Sequence, residues 1–157
     1  HGTTFKRAAE EGLLDTSRCI QVGMRGPTFD AADYDVARNL GFALMPNDEM
    51  RRHSMTEVAE IARKRVGSGP TFLSFDIDFV DPAYAPGTGT PEVGGVTSWE
   101  VLQLLRGLRG VNFVAFDIVE VLPAYDSGQI TALLAANIAY EMLTLQCFAR
   151  SGRKAQV

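Results

Sequence analysis

A chain of 157 residues with 46% apolar and 22% charged side chains is expected to form one globular domain with a real core. Its net charge of −4, with acids and bases interspersed, offers no basic footprint for nucleic acid and no polybasic surface for anionic lipid. No uninterrupted apolar run approaches the roughly 18 residues of a membrane span and no signal-peptide pattern opens the sequence, so neither a membrane nor a nucleic acid is expected as a partner. Cys19 and Cys147 stand outside any CxxC arrangement. They read as two buried free thiols of a protein in reducing, cytoplasmic surroundings.

In chain order, a helix is expected over about Thr3 to Glu11, ended by Gly12, followed by a strand over Cys19 to Met24. Gly26-Pro27 punctuates; Asp30 to Leu40 suits a helix stopped by Gly41, and Phe42 to Met45 a short strand before Pro46. Ser54 or Thr56 can cap a helix carrying Val58, Ile61, Ala62 and Val66 and closed by Gly67. The apolar run from Pro70 to Phe75 then leads into Asp76 and Asp78. Read as strand, this places both carboxylates on one face with Cα atoms roughly 6.5 to 7 Å apart, where they repel each other unless a cation lies between them. The following stretch, Ala85-Pro86-Gly87-Thr88-Gly89-Thr90-Pro91, is too rich in proline and glycine for helix or strand. A strand ending in carboxylates before a structured loop is where open α/β sheets place ligands. A helix over about Ser98 to Leu108, a strand over Asn112 to Val121 and a long helix from Ile130 to about Ala149 complete the chain. Strands alternating with helices of this length indicate parallel βαβ units.

Ser74-Phe75-Asp76-Ile77-Asp78-Phe79-Val80-Asp81-Pro82, then Ala85 to Glu92 with Gly94-Gly95-Val96-Thr97, closely resembles the ureohydrolases, the arginase and agmatinase family. Asp117-Ile118-Val119-Glu120-Val121 with Pro123, Tyr125 and Asp126 is similar to that family's second signature, and His1-Gly2-Thr3-Thr4-Phe5 to a third. The resemblance runs from His1 to about Ala149 and implies an arginase-like three-layer α/β/α fold with a mostly parallel sheet. It further implies that residues 1–157 are the C-terminal portion of a single ureohydrolase domain lacking its N-terminal strands. Family members hold two Mn2+ ions with one histidine, an Asp-x-His-x-Asp segment and the Asp-x-Asp pair; only the last is here, and neither His1 nor His53 sits in such a context. Trimers or hexamers are expected by the same resemblance. So is the N-terminal half of the same enzyme, or a full-length homologue, as partner, because an unpaired apolar strand edge invites association.

The site residues follow. Asp76 and Asp78 are expected as metal ligands, hard oxygen donors suited to manganese. Glu120, on the strand of the second signature, is expected to bind the substrate guanidinium through paired hydrogen bonds; the bland alternative is an ion pair with an internal arginine such as Arg25. Asp117, on the opposite face by strand alternation, is left as a supporting group. The resemblance gives His1 a catalytic role in moving a proton to the departing amine, a task suited to imidazole. The implied reaction is hydrolysis of a small guanidino substrate such as agmatine to urea and an amine, with guanidinobutyrate and guanidinopropionate as alternatives. An inactive truncated paralogue acting as a binding partner is the non-enzyme reading. A phosphatase of the haloacid-dehalogenase type, suggested by Asp76-x-Asp78-x-Val80, lacks its later lysine and paired acids.

Overall fold

A computed structural model describes residues 3–28, 30 and 32–151. Among these residues six α-helices and four strands follow in order: α1 (Thr4–Glu10), β1 (Ile20–Val22), α2 (Asp33–Asn39), β2 (Ala43–Met45), α3 (Asn47–Met50), α4 (Met55–Val66), β3 (Thr71–Asp76), α5 (Ser98–Gly107), β4 (Phe113–Val119) and α6 (Ile130–Ser151). The order matches the sequence expectation except for α3, a single turn that follows Pro46 and buries Met50 completely. All pairing between strands is parallel, as βαβ crossovers require. Ile20 lies opposite Ala43 and Val22 opposite Met45; Ser74 lies opposite Asp117 and Asp76 opposite Val119. Among the described residues these are two separate two-stranded sheets, β1-β2 and β3-β4, so each strand has one edge with no strand beside it.

Local chemistry accounts for the helix ends. Ser54 caps α4 and Thr97 caps α5, each in a reciprocal capping box with a glutamate three residues on, Glu57 and Glu100. Gly67 then closes α4 with φ of 65°, a left-handed conformation that side chains other than glycine resist. Helices α4 and α5 cross closely because Gly107 has no Cβ: one placed there would stand 2.6 Å from the Cβ of Ala59.

The core gathers Val58, Ala59 and Ala62 of α4, Val101 and Leu105 of α5, Phe75 and Phe113 of the β3-β4 sheet, and Ile138, Met142 and Leu145 of α6. Helix α6 is apolar on two sides. Thr131, Ile138, Met142 and Leu145 face inward, while Leu133 and Tyr140 are 66% and 71% exposed, with Ile130 and Leu143 also outward. The segment Ser127–Ser151 thereby meets the length and composition of a membrane span once interspersed polar residues are allowed, although the inward stripe packs into the core. Cys147 is exposed and Cys19 half-buried, so the expectation of two buried thiols is not met.

Leu105, 1% exposed, sits where α5 meets the rest of the core. Leu105→Ala is expected to lower unfolding free energy by about 2–5 kcal/mol, read by urea denaturation. A loss below about 1 kcal/mol would mean that this contact is not central.

Candidate active site

Two expectations about side-chain placement are corrected here. Strand β3 stops at Asp76, and Ile77–Phe79 form a turn of 3-10 helix, so Asp78 is not a strand neighbour of Asp76. The Asp76 carboxylate itself drives this, accepting the Asp78 N–H at 2.9 Å and capping the turn. Likewise β4 ends at Val119 and Glu120 adopts φ of 69°. That left-handed conformation costs a residue with a Cβ about 1–3 kcal/mol and typically persists where surrounding structure enforces it, often at a functional site. Strand alternation therefore does not set the direction of Glu120 relative to Asp117.

The two signatures are tied together by backbone and by one buried hydroxyl. Thr88 bridges to Val121 in antiparallel fashion, and the Leu122 N–H donates to the Gly87 carbonyl at 2.8 Å. Thr131, fully buried at the start of α6, accepts the Gly87 N–H on Oγ1 at 2.7 Å. Asp126 caps that helix by accepting from Thr131 N at 2.9 Å and Ala132 N at 2.8 Å, so it serves as a cap. Gly87 is required for this approach, since a Cβ would lie 2.5 Å from that of Asp126. The glycines of the loop thus allow backbone to meet backbone; Gly95 is similar, with a Cβ position 2.4 Å from Asp81 N.

Asp78 is held from both sides: the Thr88 hydroxyl donates to Oδ1 and the Thr90 hydroxyl to Oδ2. Thr88 is 1% exposed, which fixes its hydroxyl in place. Asp81 grips the far limb of the loop through Ala83 N, Gly94 N and Gly95 N, and the Ala83 bond first of all holds its carboxyl below the usual range. The roles of Thr88, Thr90 and Thr131 were not read from sequence; the only available signal was hydroxyl residues set among loop glycines.

Burial pushes the Asp76 carboxyl up to about 6, and the charges of Asp78 and Glu120 add to that, against the Asp78 N–H and Arg25. Asp78 and Glu120 thus each lie within electrostatic reach of Asp76. No group of three or more His, Cys, Asp and Glu among the described residues is disposed to hold a metal ion. The pair of carboxylates suits a hard cation in type and lacks the number of donors one needs. Asp117 Oδ1 is buried with no hydrogen-bond partner. Arg25, the alternative partner for Glu120, directs its donors to four backbone carbonyls. His1 lies outside the described residues.

The arginase family model matches residues 1–144. A guanidinobutyrase of Pseudomonas aeruginosa is 47% identical over 143 residues, which are 91% of this chain and 45% of that protein. A mitochondrial agmatinase of Gallus gallus is also 47% identical over 143 residues, 42% of its length. The solved structure of proclavaminate amidino hydrolase from Streptomyces clavuligerus superposes with a TM-score of 0.89 at 44% identity, covering 95% of this chain and 50% of that one. The chain spans about half the length of the curated relatives it matches.

The displaced ionisation of Asp76 has a signed consequence for the metal-free chain. With a folded value near 6 against 3.8 unfolded, the folded state binds more protons in that window, so stability falls as pH rises through it. Asp76→Asn is expected to abolish that fall and to leave the metal-free variant more stable than wild type at pH 7. Urea unfolding of both from pH 4 to 7 reads it; parallel curves would mean the carboxylate is not desolvated.

Proposed function

Because the chain belongs to the arginase family, we propose that the intact protein hydrolyses a small guanidino compound such as agmatine to urea and an amine, at a manganese site to which Asp76 and Asp78 contribute. The observation that carries this is the placing of Asp76 and Asp78 at the end of β3, Asp78 held by the hydroxyls of Thr88 and Thr90, with the charges of Asp78 and Glu120 both bearing on Asp76. A divalent cation relieves the repulsion between Asp76 and Asp78, and a guanidinium that from Glu120. When bound, manganese supplies the Lewis-acid charge that makes water a nucleophile near neutral pH.

The chain's own residues perform the rest. Thr88 and Thr90 orient the Asp78 carboxylate. Glu120 receives the substrate guanidinium by two charge-assisted hydrogen bonds. Since Val121 is bridged to Thr88, the guanidinium carbon is referred to the same frame as Asp78. His1 hands a proton to the leaving amine nitrogen.

The remaining metal donors come from the portion of the relatives that this chain does not span, supplied by an N-terminal half or by a full-length homologue. Three features favour such a partner: unpaired edges on β3 and β4, the unpartnered Asp117 oxygen, and the outward apolar face of α6. A homo-oligomer would cover part of that helix face.

The test is urea release with added Mn2+ from agmatine, guanidinobutyrate and guanidinopropionate. The chain by itself is expected to be inactive and the chain with its complementary half active, with the ranking of the three compounds naming the substrate. Inactivity of the reconstituted protein toward every guanidino compound would leave a binding role instead. In the active form, Glu120→Gln is expected to cut kcat/KM about 10- to 100-fold, the equivalent of about 1.5–3 kcal/mol for hydrogen bonds to a charged group. Manganese content should stay at the wild-type level; its loss would reassign Glu120 as a ligand.

A further inference from the structure

The segment from Asp78 to Val93 crosses the mouth of the β3-β4 sheet with little regular structure, so its carbonyls need donors from elsewhere. One side chain from beyond the end of β1 supplies four of them. Arg25 follows β1, and its Nη2 donates to the carbonyls of Asp78 at 2.5 Å, Glu92 at 2.7 Å and Val80 at 3.4 Å, while Nε donates to Val93 at 3.2 Å. Its backbone is itself anchored: Gly23 N donates to the Met45 carbonyl at 2.8 Å and Asn47 N to the Met24 carbonyl at 3.0 Å. Gly23 lets this segment pass beneath the Asp78 turn, since a Cβ there would stand 2.3 Å from the Phe79 ring.

From this geometry we infer that Arg25 is the positioning residue of the metal-binding loop, fixing Asp78 by holding the carbonyl of that same residue and clamping both limbs of the loop at once. The inference rests on the proposed manganese site. It deepens that reading by assigning the site's precision to a residue outside the Asp-x-Asp motif and its loop. A guanidinium is suited to the task because its donors diverge in one plane toward carbonyls on two limbs, at positions 78 and 80 and at 92 and 93. With Nε and Nη2 turned to carbonyls, the guanidinium is oriented by four acceptors. Turning the Asp78 carbonyl toward Arg25 leaves the Asp78 carboxylate to the hydroxyls of Thr88 and Thr90. Nη2 meets Asp78, Val80 and Glu92 while Nε takes Val93, and lysine has no second nitrogen for that fourth acceptor.

The test compares wild type, Arg25→Met and Arg25→Lys in the intact protein by two readouts. The first is amide hydrogen exchange without metal. Asp81, Gly94, Gly95 and Val96 are expected to exchange at least about 10-fold faster in both variants, with Leu104 and Leu105 of α5 unchanged. The second is Mn2+ titration followed by electron paramagnetic resonance, alongside steady-state kinetics. Manganese affinity should fall about 10- to 100-fold, the usual scale for groups that orient a ligand. At saturating Mn2+ the KM for the guanidino substrate should stay within about 2-fold of wild type. Wild-type manganese affinity in both variants overturns the inference, as does uniform acceleration of exchange across the protein, which would make Arg25 a general stabiliser. If wild type neither binds Mn2+ nor releases urea, the functional reading fails by itself; the exchange readout then still decides whether Arg25 holds the loop.

Discussion

Backbone carbonyls outside a ladder must find donors, and in this chain that requirement falls on the loop between β3 and α5. Side chains from three places meet it. Arg25 reaches from β1, Asn47 from α3 donates to Gly94 O at 3.2 Å, and Arg51, just after α3, donates to the carbonyls of Gly94 and Gly95. Asp81 takes the N–H groups of Gly94 and Gly95 from within the loop. All of these partners beyond the loop come from the β1-β2 half of the chain. The candidate site is therefore where two sheets that share a core but no strand pairing are also joined by side-chain-to-backbone bonds, and its geometry is a property of that joint.

A second set of bonds links the acidic turn to the second signature. Gly87 and Thr88 lie against Leu122 and Val121, and Thr131 of α6 fixes Gly87 from behind. Thr88 belongs to both sets, holding Asp78 with its hydroxyl and Val121 with its backbone. Asp78 and Glu120, 42 residues apart in number, are thus separated by one rigid residue and one peptide. A buried hydroxyl in this position is strongly constrained, because leaving either of its partners unsatisfied costs about 1–3 kcal/mol.

Much of this was legible in the sequence where the governing interaction is local. Helices α4 and α5 and their ends follow from capping residues, apolar spacing and glycine, and the βαβ order from alternation of periods. The arginase-type fold followed from ordered motifs, and the match over residues 1–144 supports the same reading. What was not legible depends on bonds between distant segments or on a side chain folding back. Asp76 and Asp78 look like strand neighbours until the Asp76 carboxylate takes the Asp78 N–H and starts a turn. Glu120 continues a β-branched run in sequence, yet its φ of 69° ends the strand one residue earlier. Arg25 sits between glycines beside nothing it contacts in sequence; its four acceptors are 53 to 68 residues away. Helix α3 is too short for any periodicity to reveal.

The same region is unfinished in three physically different senses. Electrostatically, burial and the charges of Asp78 and Glu120 raise the proton affinity of Asp76 against the Asp78 N–H and the charge of Arg25. In hydrogen bonding, among the described residues, β3 and β4 each have an edge without a strand beside it, and Asp117 has a buried oxygen without a donor. In apolar burial, α6 carries a second stripe that its own core does not cover. A metal ion alone would answer only the first, and a second copy packed on α6 only the third. A polypeptide that adds strands beside β3 and β4 and brings nitrogen and oxygen donors to their carboxyl ends would answer the first two together. Its covering helices would reduce the third, which is why the partner proposed above is a complementary stretch of the same fold, with the proposed cation bound once the donors are assembled.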